Sequence, residues 1–156
     1  MRVSEVRQWV VRPVLERAKL WSPAAENLVV GTGLAESAFE WLDQRDQAGR
    51  PGPAFGPWQI EAATYWSLWD REIRPSIKLN CLMALGFDTP PPVEELHGNL
   101  FLGALVCRLK YFTVQPPLPP ANDPHEMVAY WKRHYNTAGG AGVITDSIQS
   151  FIQACA

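Results

Sequence analysis

Cysteine is scarce in this chain, basic residues never cluster, and no apolar run is long. The three cysteines, Cys81, Cys107 and Cys155, lie far apart and match no metal-ligand spacing. That removes a zinc ribbon and a multi-bridge disulfide framework. They read as small buried hydrophobes, with one disulfide left open. Lys and Arg total 14 against 16 Asp and Glu, a net charge of −2 without a basic block. This excludes the electrostatic footprint of a nucleic-acid binder. The early apolar run Trp9-Val10-Val11 is cut by Arg12, too soon for a signal peptide. No stretch approaches the roughly 18 apolar residues of a membrane span. The expectation is a chain made in a cytoplasm without its own export signal, leaving it only if a particle or secretion machine carries it out. Strand alternation is nearly absent as well, which disfavours an all-β fold.

What remains is an ordinary globular composition, 47% hydrophobic and 19% charged over 156 residues, enough for one domain with a real core. Val3, Val6, Val10, Val14 and Leu15 fall near helical spacing over residues 3–20, with a kink or break expected at Pro13. Ser22-Pro23 is a helix start, a hydroxyl N-cap followed by proline, and the helix is predicted to run to about Ser37. Its glycines, Gly31 and Gly33, point to close packing against another backbone. Residues 43–58 are rich in Gly and Pro and read as a loop or small irregular hairpin. Further helices are expected from Gln59 to about Trp69, from Ile77 to Leu85, and from Val93 to about Phe112 with a split near Gly98. Residues 115–122, QPPLPPAN, form a stiff connector. Asp123-Pro124 with Glu126 opens a helix to about Tyr135, and Val143 to Ala156 forms the last. The fold class is mostly α.

Three fragments carry the chemistry. Glu36-Ser37 places an acid at the end of an apolar helix. Gly56-Pro57-Trp58-Gln59 closes the glycine-rich loop. Tyr135-Asn136-Thr137-Ala138-Gly139 ends the late helix. Each fragment alone is weak; their order and spacing resemble the lysozyme-like lytic transglycosylases, the soluble lytic transglycosylase and goose-type lysozyme group. In that family a Glu-Ser pair ends a helix, a glycine-rich loop and Gly-x-x-Gln element follow, then an Asn…Gly helix and a Tyr-Asn element. Here these look like Glu36-Ser37, Gly56 with Gln59, Asn99 with Gly103, and Tyr135-Asn136 with Gly139. The resemblance covers about residues 26–140. Pro57-Trp58 and Thr137 depart from the family pattern.

The resemblance implies a single lysozyme-like α+β domain over 1–156, with residues 1–21 as an N-terminal helical extension and a sugar-binding cleft. It implies a phage-entry or lysis enzyme that cleaves the MurNAc–GlcNAc bond of peptidoglycan strands with Glu36 as the one catalytic carboxyl, leaving 1,6-anhydro ends. No cofactor or metal is implied. Ser37 would hydrogen-bond the Glu36 carboxyl or its neighbouring backbone, Gln59 would bind an N-acetyl amide, and Tyr135 would wall the site, its hydroxyl reaching the acid or the sugar. Asn136 would brace the loop. Trp58, Trp66 and Trp131 are candidates for stacking on sugar rings. His134 reads as a helix-end residue. A hydrolytic lysozyme is the alternative, with Asp43, Asp46 or Glu61 orienting water. A structural virion or assembly protein and a sugar-binding module are the readings from other classes; virion or secretion-machine proteins would be its partners.

Overall fold

The computed structural model describes residues 1–45, 48–136 and 143–156, with Arg45 described by its backbone alone. The chain is mostly helical with one small sheet. In order, α1 (Val3–Val6) passes through a π-helical stretch (Arg7–Val11) into α2 (Arg12–Arg17). After α3 (Pro23–Ser37) come β1 (Asp43–Arg45), β2 (Pro51–Phe55) and β3 (Ile60–Glu61). Next are α4 (Ala62–Ser67), a second π stretch (Leu68–Glu72), α5 (Pro75–Leu85) and a 3₁₀ turn (Val93–His97). The chain ends in α6 (Leu100–Phe112), α7 (Pro124–His134) and α8 (Ile144–Cys155). No helix among the described residues is long and apolar enough to cross a membrane.

The expected kink at Pro13 takes the form of a π stretch ahead of it. A proline ring clashes with the carbonyl four residues back, and the wider turns of Arg7–Val11 precede it. The wider turn also rotates the buried face. Val11 is fully buried where simple helical spacing favoured Val10, which is only partly buried, while Val6, Val14 and Leu15 remain inside. These side chains join the same apolar core as α3 and α6.

Helix α3 has the predicted bounds. The Ser22 hydroxyl accepts the Ala25 N–H at 3.1 Å, and Pro23 occupies the first turn. It ends at Ser37 as expected, but without the glycine that usually terminates a helix. Ala38 and Phe39 both adopt the left-handed region, at φ 51° and 55°, a conformation costing of order 1 kcal/mol or more per residue outside glycine. Burying the Phe39 ring, worth about 2–3 kcal/mol, offsets this; Phe39 is 3% exposed and meets Trp58 edge-on at 5.5 Å. Gly31 and Gly33 do mark close packing, but the partners are rings rather than backbone. Phe151 of α8 lies on Gly31, and Phe39 and Trp58 lie on Gly33. Trp58 also covers Gly103 of α6, so it is wedged between two helices.

The hairpin expected near residues 43–58 is a three-stranded antiparallel sheet in the order β1-β2-β3. Asp43 faces Phe55, Ala54 faces Glu61 and Phe55 faces Ile60. β3 pairs only with the last two residues of β2, so Pro51 and Pro53, which lack an N–H, lie where β2 is an edge. The helix expected from Gln59 starts only at Ala62, because Gln59 itself has φ 51° and Ile60–Glu61 pair into the sheet. The break near Gly98 is present, and Asn99 caps α6 through Leu102 N–H at 3.0 Å. Asp123 caps α7 through Glu126 N–H at 3.0 Å.

Candidate active site

Glu36 sits in the last turn of α3, half-buried. The indole Nε1–H of Trp131 donates to Glu36 Oε1 at 2.9 Å, across 95 residues of sequence. Trp131 reaches it because α7 packs on α3 and because its own ring, 1% exposed, is fixed against Phe151. Asn136, just beyond α7, also pulls the pKa of the same carboxyl down, and its Oδ1 accepts from Lys132 Nζ at 2.9 Å. Burial raises the Glu36 pKa from its ordinary value, and it outweighs the opposing pull of Trp131, Asn136, Lys110 and Lys132.

A second glutamate on the same helix shows the opposite outcome. Glu26 is 2% exposed, yet Arg7 Nη1 and Arg12 Nε each approach it at 2.7 Å and the Trp21 indole donates at 2.6 Å. Burial alone would raise its pKa; the hydrogen bonds from Arg12, Trp21 and Arg7 outweigh it and hold the group at about 2. Glu36 has a neutral indole donor in place of the guanidinium partners of Glu26, and the two pKa values shift in opposite directions.

The supporting residues are less close to the acid than expected. Tyr135 is buried, and its hydroxyl donates to the Trp58 carbonyl at 2.6 Å. Its ring stacks on Tyr111 at 5.3 Å, beneath Lys110 Nζ at 4.0 Å. Tyr111 in turn shares a 2.7 Å hydrogen bond with Thr32 Oγ1, one turn before Glu36 on α3. Tyr135 therefore ties the 56–59 loop to α7 and α6. Trp58 is 1% exposed and donates its Nε1–H to Val29 O at 2.9 Å; it is a core residue, and its expected stacking on sugar is corrected by that burial. Trp131 is likewise too deeply buried to stack on substrate, while Trp66 is 39% exposed. The Gln59 amide donates to Gly56 O at 2.9 Å, within its own loop. Ser37 Oγ donates to Gly33 O at 3.2 Å and accepts Phe39 N–H at 3.1 Å, which locks the helix end rather than the acid.

Asp43 lies half-buried at the start of β1, and Glu61 is exposed ahead of α4. Asp46, Thr137, Ala138 and Gly139 lie outside the described residues. His134 lies against the Tyr130 ring at 4.5 Å, and burial lowers its pKa. Among the described residues, a cavity of about 610 Å³ is lined by Trp9, Glu94, Glu95 and Phe101 and not by Glu36. Cys81 and Cys107 are buried free thiols and Cys155 is a half-buried one.

Sequence reasoning missed Lys110, Lys132 and the pairing of Trp131 with the acid. The available signal was Trp131 standing one helical turn before Tyr135, the residue that follows α7. No family model, no curated protein and no solved structure matches this chain.

Proposed function

We propose that the protein is a peptidoglycan lytic transglycosylase in which Glu36 serves alone as acid and then as base. The observation that carries this reading is a carboxyl at a helix end whose pKa is raised by burial and which accepts from a neutral donor, the Trp131 indole. Glycosidic cleavage needs an acid that still holds its proton near neutral pH. Glu36 gives that proton to the oxygen joining N-acetylmuramic acid to N-acetylglucosamine, and the C1–O bond breaks. The substrate's own N-acetyl group stabilises the electron-poor C1. Lys110 and Lys132 stabilise the carboxylate so formed. The carboxylate then takes the proton of the C6 hydroxyl as its oxygen bonds to C1, closing the 1,6-anhydro ring and restoring the acid. Water in place of the C6 hydroxyl gives hydrolysis and a reducing end.

A second reading, a structural virion or assembly protein, is favoured by one observation. Ser37, Trp58, Gln59 and Tyr135 all have internal hydrogen-bond partners, so a fold without catalysis would keep them too. Glu36 is the residue that separates the two readings. Peptidoglycan incubated with the wild type and with Glu36→Gln, followed by mass analysis of released muropeptides, tests them. Anhydro-muropeptides from the wild type alone support the transglycosylase. Reducing ends point to the lysozyme alternative. No release from either protein removes the enzyme reading and leaves the structural one.

A further inference from the structure

Tyr135 was a candidate to reach the acid or the sugar, but in this chain its hydroxyl is held by the Trp58 carbonyl at 2.6 Å. Trp131 approaches the acid instead. We propose that Trp131 is the positioning residue of Glu36, and that its indole N–H, by occupying Oε1, directs the transferable proton to Oε2. This deepens the transglycosylase reading and rests on it for its catalytic meaning.

The geometry behind it is specific. An indole N–H can only donate, so it can bind Oε1 only as an acceptor. In a protonated carboxyl the carbonyl-type oxygen is the better acceptor, so the proton resides on the other oxygen. The Trp131 ring cannot turn away, because it is 1% exposed and packed against Phe151, which in turn covers Gly31 on the helix that carries Glu36. Donor and acceptor are thus fixed by the same α3–α7–α8 contact. Among the described residues, the polar and titratable groups around the carboxyl are Asn136 and Lys132 near the end of α7, Lys110 on α6, and the buried Tyr111, Tyr135 and Cys107. None of the last three ionises near neutral pH, since burial pushes each of them up. Glu36 is the titrating partner that Trp131 senses.

The test is the pH titration of the Trp131 indole ¹H–¹⁵N resonance beside that of the Glu36 carboxyl carbon, in the wild type and in Glu36→Gln. The expected result is one shared midpoint in the wild type and a flat Trp131 resonance in Glu36→Gln. A Trp131 resonance that stays flat while Glu36 titrates overturns the proposal, as does one that titrates unchanged in Glu36→Gln. Trp131→Phe adds a second readout. Loss of the donor moves the Glu36 midpoint upward, moves the alkaline limb of muropeptide release with it, and lowers kcat about 10- to 100-fold with little change in KM. If that variant does not fold, the wild-type titration still decides. Shared titration without muropeptide release means that the positioning holds and the enzyme reading fails; release without shared titration means the reverse.

Discussion

Replacing Glu26 by Gln removes one charge from a site that the fold has built around it. Glu26 holds a pKa of about 2, against about 4.3 for an unperturbed glutamate. The folded value is depressed, so its stabilisation is fully present above the unfolded value and is lost as pH falls toward 2. The difference corresponds to roughly 3 kcal/mol at pH 7, with about half of it left at pH 3. The Arg7 and Arg12 side chains are 23% and 48% exposed, so they regain water when the carboxylate is gone, and the neutral-pH loss lies at or below that figure. Urea unfolding of the wild type and Glu26→Gln at pH 7, 5, 4 and 3 is the assay. The gap is widest at pH 7, equivalent to a fall in Tm of roughly 6–12 °C for a chain of this size, and it narrows steadily below pH 5. Parallel stability curves across the whole pH range would refute the linkage, and with it the opposed behaviour of the two glutamates on α3.

Other outcomes follow from the same structure. Glu36→Gln melts above the wild type at pH 7 and level with it at pH 4, because the raised pKa of Glu36 makes its stability fully present below the ordinary glutamate value and lost as pH rises; thermal melts at both pH values check the sign. Gly31→Ala is destabilising despite a helix-propensity gain of about 1 kcal/mol, since the new methyl overlaps the Phe151 ring and overpacking costs about 1–3 kcal/mol; a rise in urea midpoint would contradict it. Tyr135→Phe leaves the Trp58 carbonyl without its 2.6 Å donor and costs about 1–3 kcal/mol, while muropeptide release falls far less than in Glu36→Gln. Equal loss of activity in the two variants would mean that the hydroxyl touches substrate after all.

Much of the helical frame was legible because its punctuation is local. Ser22-Pro23, Asp123-Pro124 and Gly86 each mark a helix end within one turn, and the structure follows them. Three features escaped because their causes are not local. The π stretch of Arg7–Val11 moved burial from Val10 to Val11. The end of α3 uses two left-handed residues without glycine, tolerated because Phe39 gains a place in the core. Trp58 was a candidate for stacking on sugar and is a wedge in the core, because Gly33 and Gly103 leave room for it on α3 and α6. At the site, Glu36 was legible as a carboxyl near the apolar end of a helix whose other acid, Glu26, lies in the first turn. The partners of Glu36 were not, since a tryptophan at i and a tyrosine at i+4 stand one helical turn apart and only packing decides which reaches the acid.

The bond between Trp131 and Glu36 spans most of the chain, and the bond from Tyr135 to the Trp58 carbonyl joins residues 77 apart. Contacts this distant form late, after loop closure has brought the two ends of the chain together. A nascent chain that has completed α3 but not α7 carries a solvated Glu36 with an ordinary acidity. The burial and the indole donor that surround Glu36 are therefore properties of the docked C-terminal third and not of α3 alone.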